Sequence, residues 1–257
     1  SLIAQEIDKL AFEDLLKKYI TAPAKMNNTF ISKKINVSNA EALSYIKMLN
    51  WEVSPETNPM LTLGAGAITS TAYDVNLFFT QLFKGKLINK NSLKLISVFQ
   101  DGHSLGFQEF LYNDLKGIGH GGKVDGFNCY GSFFPDKNIS VVFSSNATLY
   151  PMYDIWIGMM NILFDYPYSL PVFKALDSKD LEKYVGIYSN ENFPFKFHIK
   201  VENKILVMEG DGQKFALEYD KENTFKFDMI GLVLEFLPSE GKMLFKQSGG
   251  MFEFKKD

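Results

Sequence analysis

Residues Gly117 to Asn146 read GIGHGGKVDGFNCYGSFFPDKNISVVFSSN, and the fold is decided there. The pattern predicts a strand, a turn and a returning strand. Ile118 opens an extended run. Gly119, Gly121 and Gly122 carry no side chain, so a backbone or a ligand can approach closely. Pro135-Asp136-Lys137-Asn138 has the chemistry of a turn: proline presets one φ, and Asp and Asn bond their own backbone. Ile139, Val141, Val142 and Phe143 follow as a β-branched and aromatic run, which predicts a buried strand.

Working outward, the composition bounds what surrounds this stretch. The chain has 257 residues, is 46% hydrophobic and 15% aromatic, and can bury a sizeable core. Its net charge is −3, and all 27 basic residues are lysine. Without arginine there is no bidentate clamp for phosphate or bases, and no basic block stands out. Nucleic acid is therefore excluded as an expected partner. The single Cys129 rules out an internal disulfide and any multi-cysteine metal site. His103, His120 and His198 share no helical metal-ligand spacing, so neither metal nor cofactor is expected. No apolar run reaches the ~18 residues of a membrane span.

Upstream, residues 2–20 read as helical, with Leu2, Ile3, Ile7, Leu10, Leu15, Leu16 and Tyr19 at helical spacing. Residues 31–63 are polar and turn-rich. A helix start follows: Ser70 or Thr71 can cap it, Asp74 completes a capping box, and Gly85 closes it. A second helix is expected near 91–99. Strands are expected to begin at His103–Phe107. Downstream, residues 150–164 predict an apolar helix over the sheet. Two prolines break the pattern near 166–178. Beyond 179, apolar residues alternate: Phe195, Phe197, Ile199, Val201; Ile205, Val207; Phe215, Leu217, Tyr219; Phe225, Phe227, Met229. Glu202-Asn203, Gly210-Asp211-Gly212, Lys221-Glu222-Asn223 and Ser239-Glu240-Gly241 separate them. Short strands at regular spacing predict an antiparallel barrel or sandwich. The aromatic alternation is read as core, His103 as a strand position, His198 as a surface residue, Cys129 as a buried small hydrophobe, and Asp125 and Asp136 as turn residues.

The stretch 117–146 also resembles the third motif region of the penicillin-recognising serine hydrolases: class C β-lactamases, D-Ala-D-Ala carboxypeptidases and related esterases. Their pattern is Lys-Thr-Gly or His-x-Gly on a strand, then Gly-Phe, an aromatic, Phe-x-Pro-[Glu/Asp]-Lys, a β-branched run and Asn. Here it reads His120-Gly121-Gly122, Gly126-Phe127, Tyr130, Phe133 through Lys137, Val141-Val142 and Asn146. The likeness extends to Leu2–Thr29 and to Ala65–Asp74. Tyr184-Val185-Gly186-Ile187-Tyr188 resembles the opening of the lipocalin-like barrel often appended to this domain.

The resemblance implies acyl transfer by a serine in Ser-x-x-Lys, aided by a Tyr-x-Asn tyrosine. It gives His120 the charged role on the third-motif strand. Gly122 becomes the small residue beside the substrate, and Lys123 N–H the oxyanion donor. Gly121, Gly126 and Phe127 line the substrate. In the family the two earlier motifs precede the segment matching Leu2–Leu16, so the nucleophile is expected on a segment ahead of this chain. Ser44-Tyr45-Ile46-Lys47 and Ser239-Glu240-Gly241-Lys242 fit Ser-x-x-Lys, and Tyr188-Ser189-Asn190 fits Tyr-x-Asn. All three fall in the wrong order and are read as chance matches.

The expected fold class is α/β (α+β): a β-lactamase/transpeptidase-like antiparallel sheet flanked by helices, then a small antiparallel β-barrel. Residues 1–165 are expected to form the later part of the first domain, 166–178 a linker, and 179–257 the barrel. Alone, the chain is expected to be inactive. Without the preceding segment, Ile139–Phe143 and Trp156–Phe164 should be partly uncovered. The expected partners are a small-molecule or peptide substrate, the missing N-terminal segment and a second copy of the chain. The resemblance implies a cell-envelope protein. The alternative reading is a non-catalytic module that holds a peptide or small ligand beside His120–Lys123.

Overall fold

The computed structural model describes residues 1–168, 176–227, 230–247 and 249–257. Two compact units are present. The first comprises Ser1–Ile46, Val53–Thr148 and Met152–Tyr166; the second comprises Lys47–Glu52, Leu149–Pro151 and Pro167–Asp257. Residues 169–175 of the expected linker lie outside the described residues.

The first unit opens with α1 (Leu2–Asp8) and α2 (Phe12–Leu16), a π-helical turn over Lys17–Thr21, and α3 (Ala22–Ala24). The expected continuous helix over 2–20 is thus broken. Lys9 takes a left-handed conformation (φ 56°) that ends α1, and Gln5 Oε1 accepts from Phe12 N–H at 3.1 Å across the break. Next come β1 (Phe30–Ile31), β2 (Tyr45–Lys47), β3 (Trp51–Val53), α4 (Pro59–Gly66) and β4 (Ile68–Thr69). β1 pairs with β4, and β2 with β3.

The helix α5 (Ala72–Phe83) starts as its cap predicts: Thr71 Oγ1 accepts from Asp74 N–H at 3.1 Å. The other half of the capping box is redirected. Asp74 is 1% exposed, and its carboxylate accepts from Asn28 N–H at 2.7 Å and Thr29 Oγ1 at 2.8 Å. It therefore ties a distant loop to the helix. Gly85 follows with φ +70°, the left-handed stop that glycine takes without strain. The next helix, α6 (Lys90–Ile96), ends three residues before the expected 99.

A four-stranded antiparallel sheet follows in the order β5 (Gln108–Tyr112), β6 (Leu115–Val124), β7 (Phe127–Phe134), β8 (Ile139–Ser145). Residues 117–146 are therefore three strands rather than two. The additional break is the turn at Asp125-Gly126, where Asp125, read as a turn residue, has φ 54°. The first strand begins at Gln108, not at 103; His103 makes only isolated bridges to Gln100 and Gln108. In β8 only Val141 is fully buried, because a strand at the sheet edge leaves its neighbours half covered.

Adjacent residues on a strand face opposite ways, and the two faces are distinct here. Gly131 lies under Phe79 of α5: a Cβ built there would fall 2.6 Å from the Phe79 ring. On the other face lies α7 (Met152–Leu163), whose Trp156 donates its indole N–H to Ser132 Oγ at 3.2 Å. Trp156 and Met160 are fully buried there with Phe110, Tyr112, Phe134 and Val141. The expected uncovering of 156–164 is therefore confined to Ile162 and Leu163. Burying each such large apolar side chain contributes about 1.5–3 kcal/mol.

The second unit contains α8 (Ser178–Leu181) and eight strands that close into a barrel: β9 (Gly186–Ser189), β10 (Phe197–Glu202), β11 (Ile205–Gly210), β12 (Gln213–Lys221), β13 (Thr224–Phe227), β14 (Leu232–Leu237), β15 (Lys242–Gln247) and β16 (Gly250–Lys256). Closure through β16–β9 removes the free edges. Leu181, Tyr184, Tyr188, Phe225 and Phe236 are among the side chains that fill the core. Tyr188 donates its hydroxyl to the Tyr184 carbonyl at 3.0 Å, and burial pushes its pKa up to about 12. One strand faces the other way from its expected alternation. Leu206 and Met208, not Ile205 and Val207, belong to the core cluster. The run Ile205-Leu206-Val207-Met208 is apolar on both faces, so its period cannot fix its side. Val207 is buried on the outer surface, beside Ala216, whose N–H donates to Met48 O at 3.2 Å.

Candidate functional site

β6 carries the candidate residues, and its pairing is what exposes them. Its last partner on β5 is Gly119, matched with Gln108. On the other side it stays paired with β7 through Val124, matched with Phe127. His120 through Val124 thus form an edge open on one side. The two-residue turn makes Val124 and Phe127 the hydrogen-bonded closing pair. By alternation, Gly121 and Lys123 then direct their N–H and C=O groups to the open edge.

His120 is exposed, and its Nδ1–H donates to the Gly121 carbonyl at 2.5 Å. That bond fixes the proton on Nδ1 and leaves Nε2 as the free nitrogen. The side chain stands on the α5 side of the sheet, directly opposite Gly131. Two positions further, Gly122 lies on the same side with nothing within 4 Å of a Cβ built there. Gly121 faces the other side, where a Cβ would meet the Tyr130 ring at 3.1 Å. Lys123 is exposed and Phe127 half-buried. The structure brings His120 to Lys123 together along one strand.

Gly126 is not an open position. A Cβ there would sit 2.4 Å from the Tyr45 carbonyl oxygen, so this glycine is required by a backbone crossing. Its N–H donates to Ser44 Oγ at 3.2 Å. Ser44 is 3% exposed and serves as an acceptor in this packing, not as a presented hydroxyl. The other matches are equally structural. Ser239 lies in a short 3-10 turn after β14, and Tyr188 is in the barrel core. Cys129 is half-buried rather than buried, beside Gly122, and accepts from Ser144 Oγ at 3.5 Å. His198 is half-buried on β10.

Sequence reasoning missed one contributor. Asp125 accepts from Thr57 N–H at 3.0 Å and from Thr57 Oγ1 at 2.5 Å. Nothing in the polar 31–63 segment singles out Thr57. Beside it, Lys33, Lys34 and Ser54 through Pro59 line a groove of about 490 Å³. Among the described residues no three His, Cys, Asp or Glu side chains group as metal ligands, and no helix is long and apolar enough to cross a membrane.

Fold and strand edge define the class: an α+β domain of the penicillin-recognising serine hydrolase type, accompanied by a closed barrel. The family model described as Beta-lactamase matches residues 1–155, and the chain belongs to that family. No curated protein matches it. Among solved structures, it is similar to the octameric penicillin-binding protein homologue from Pyrococcus abyssi: TM-score 0.55, 18% identity, over 98% of this chain and 58% of that one. A penicillin-binding protein from Bacillus halodurans matches with TM-score 0.54 and 16% identity, over 63% of this chain and 52% of that one. The D-amino acid amidase from Ochrobactrum anthropi SV3 matches with TM-score 0.50 and 19% identity, over 57% and 47%. The chain thus spans about half the length of these structures. At these identities the likeness concerns the fold.

Proposed function

We propose that this chain supplies the third-motif part of a serine hydrolase site that acts on an amide, a β-lactam, a D-amino-acid peptide or an ester. The nucleophile would come from a segment that precedes Ser1 in the whole protein, so the chain alone would be inert. One observation carries the reading: the open edge of β6, with Lys123 N–H turned outward beside the empty space over Gly122. A serine on the missing segment would attack the substrate carbonyl, losing its proton to a neighbouring lysine as the C–O bond forms. Lys123 N–H would hold the developing oxyanion. His120 would supply a polar group at the strand, and the Gly121 backbone and the Phe127 side chain would line the substrate, whereas Gly126, closed off by the Tyr45 backbone, would only shape the turn. Collapse of that intermediate would break the bond to the leaving amine or alcohol, which takes the proton from the lysine; water would then add to the acyl carbon, releasing the acid and returning a proton to the serine. The amidase among the structural neighbours makes a D-amino-acid amide a natural first substrate.

On this reading residues 1–165 and 179–257 are the two domains, the second lipocalin-like, and 166–178 joins them. The protein would belong to the cell envelope. Self-association is part of the proposal. Among the described residues the first unit leaves more large apolar side chains exposed, such as Leu2, Ile3, Ile7, Met60 and Leu61, than it buries. The homologue from Pyrococcus abyssi is octameric. The test is intact-mass spectrometry after incubation with a fluorophosphonate and, separately, a penicillin. No adduct is expected on this chain, and one adduct is expected on the upstream serine once that segment is joined. An adduct on this chain alone would overturn the proposal.

A second reading, a non-catalytic module holding a peptide or small ligand on the same strand edge, is favoured by the structural use of Ser44. An upstream coding sequence without Ser-x-x-Lys and Tyr-x-Asn would select it.

A further inference from the structure

We infer that residues 43–46 and 53–57 of the first unit clamp the tip of β6, and that Ser44, Thr57 and Asp125 are positioning residues for the Lys123 N–H. The functional consequence rests on the hydrolase reading above, whereas the geometry stands without it. Lys123 lies beyond the last β5 partner, so β5 cannot hold it in place. It lies two residues before the Asp125-Gly126 turn, and the bonds that anchor the turn come from elsewhere. Gly126 N–H donates to the buried Ser44 Oγ at 3.2 Å. The Asp125 carboxylate takes both donors of Thr57, the N–H on Oδ2 at 3.0 Å and the hydroxyl on Oδ1 at 2.5 Å. Asn128 Nδ2 donates to Gly126 O at 3.1 Å and stiffens the turn from within.

The clamp is itself anchored. Asn146, just past β8, donates from Nδ2 to Leu43 O at 2.8 Å and accepts from Tyr45 N–H at 2.8 Å. Ser54 N–H donates to Ser44 O at 2.8 Å and joins the two arms of the clamp. The sheet therefore holds these arms at the end of β8, and the arms hold the turn after β6. Gly126 sits so close to Tyr45 that no side chain would fit between them. An oxyanion donor works only within about 2.7–3.1 Å of the place the oxygen will occupy. A displacement of about 1 Å caused from a distance can lower the rate about a hundredfold. A strand end with one free side is where such a displacement would arise.

The test is ¹⁵N relaxation on the full chain carrying Asp125→Asn, Ser44→Ala or Thr57→Ser. Asp125→Asn keeps the shape and the left-handed preference, but its amide nitrogen cannot accept from both Thr57 donors. In Asp125→Asn and Ser44→Ala the backbone order parameter of Lys123 should fall from about 0.85 toward 0.6 or below. Ile118, in the same strand, should keep its value. Thr57→Ser retains both donors and should leave Lys123 rigid. An unchanged Lys123 in both variants, or an equal fall at Ile118, overturns the clamp. In the protein joined to its upstream segment, Asp125→Asn should lower kcat at least tenfold for a p-nitrophenyl ester with KM unchanged. An active joined protein with unchanged kcat overturns the positioning role. A joined protein with no turnover, despite a rigid Lys123, overturns the hydrolase reading and leaves the clamp standing on the relaxation data.

Discussion

Replacing Asp74 with alanine should destabilise the first unit by about 3 kcal/mol, and the structure gives the reason term by term. The carboxylate is 1% exposed and holds two donors, Asn28 N–H at 2.7 Å and Thr29 Oγ1 at 2.8 Å. A hydrogen bond to a charged group contributes a net of about 1.5–3 kcal/mol, and an orphaned buried donor costs a further share. Both bonds share one oxygen, so the lower end of each range is appropriate. Asp74 also sits in the first turn of α5, where a negative charge gains about 0.3–1 kcal/mol. Thr29 keeps one alternative partner, Ser70 Oγ at 2.7 Å, which limits the loss. Asp74→Asn keeps one acceptor oxygen and should cost roughly half as much. The assay is thermal unfolding followed separately for the two units, with Trp156 reporting the first. For a unit of this size about 3 kcal/mol lowers Tm by roughly 6–12 °C. A shift below about 2 °C for Asp74→Ala would refute the reasoning. So would an equal shift in Asp74→Asn, since the loop would then depend on charge rather than on the shared acceptor oxygen.

Three further outcomes follow from named contacts. Ser132→Ala removes the acceptor of the buried Trp156 N–H and should cost about 1–3 kcal/mol, read by urea unfolding and by a changed near-ultraviolet circular dichroism. Gly126→Ala drives a methyl against the Tyr45 carbonyl and should cost about 1–3 kcal/mol, whereas Gly122→Ala meets nothing and should melt as the wild type does. Raised by burial to about 12, the pKa of Tyr188 lies above its unfolded value of about 10, so its neutral form is favoured by folding. That stability is complete below about pH 10 and is lost as the pH rises toward 12. The barrel should therefore unfold in alkali with tyrosinate absorbance appearing in step, and Tyr188→Phe should remove that component.

The parts of this fold that could be read from sequence are those where one signal acts alone. Thr71 with Asp74 and Gly85 bound α5, because capping chemistry is local. The strands after 195 alternate cleanly where one face is polar, as in β10, where His198, Lys200 and Glu202 alternate with Phe197, Ile199 and Val201. Illegible positions are those where a distant residue decides. Asp74 has the sequence of a capping box, but Asn28 and Thr29 take its carboxylate. Val207 resembles a core residue by alternation, yet it lies on the opposite face, paired with Ala216, and Leu206 and Met208 turn inward. Asp125 is legible as a turn residue, but Gly126 is read as a motif residue, so the two-residue turn that splits the stretch into paired strands is not. The candidate site divides in the same way. His120 through Lys123 carry a local pattern, while Ser44 and Thr57 reach the turn across more than sixty residues and leave no local trace.

The contrast between the two units bears on what each can do. The barrel is closed, and aromatic and aliphatic side chains fill its interior, from Tyr184 and Phe225 to Leu232 and Phe254. A barrel can carry a ligand only where its interior leaves room, and a packed one serves as a stable body. The cation and carboxylate pairs along its strands, such as Lys200–Glu209 at 2.9 Å between adjacent strands and Lys214–Glu202 at 2.8 Å across one strand, add little stability each. The first unit is built in the opposite sense. It ends β6 with an unpaired edge, leaves space over Gly122, and exposes Leu2, Ile3, Ile7, Met60 and Leu61. Isolated exposed apolar residues need no explanation, but an unpaired strand edge is a place where another segment can add. On the proposed hydrolase reading, the chemistry at His120–Lys123 would depend on that edge, so a variant that covers it should reduce turnover in the protein joined to its upstream segment.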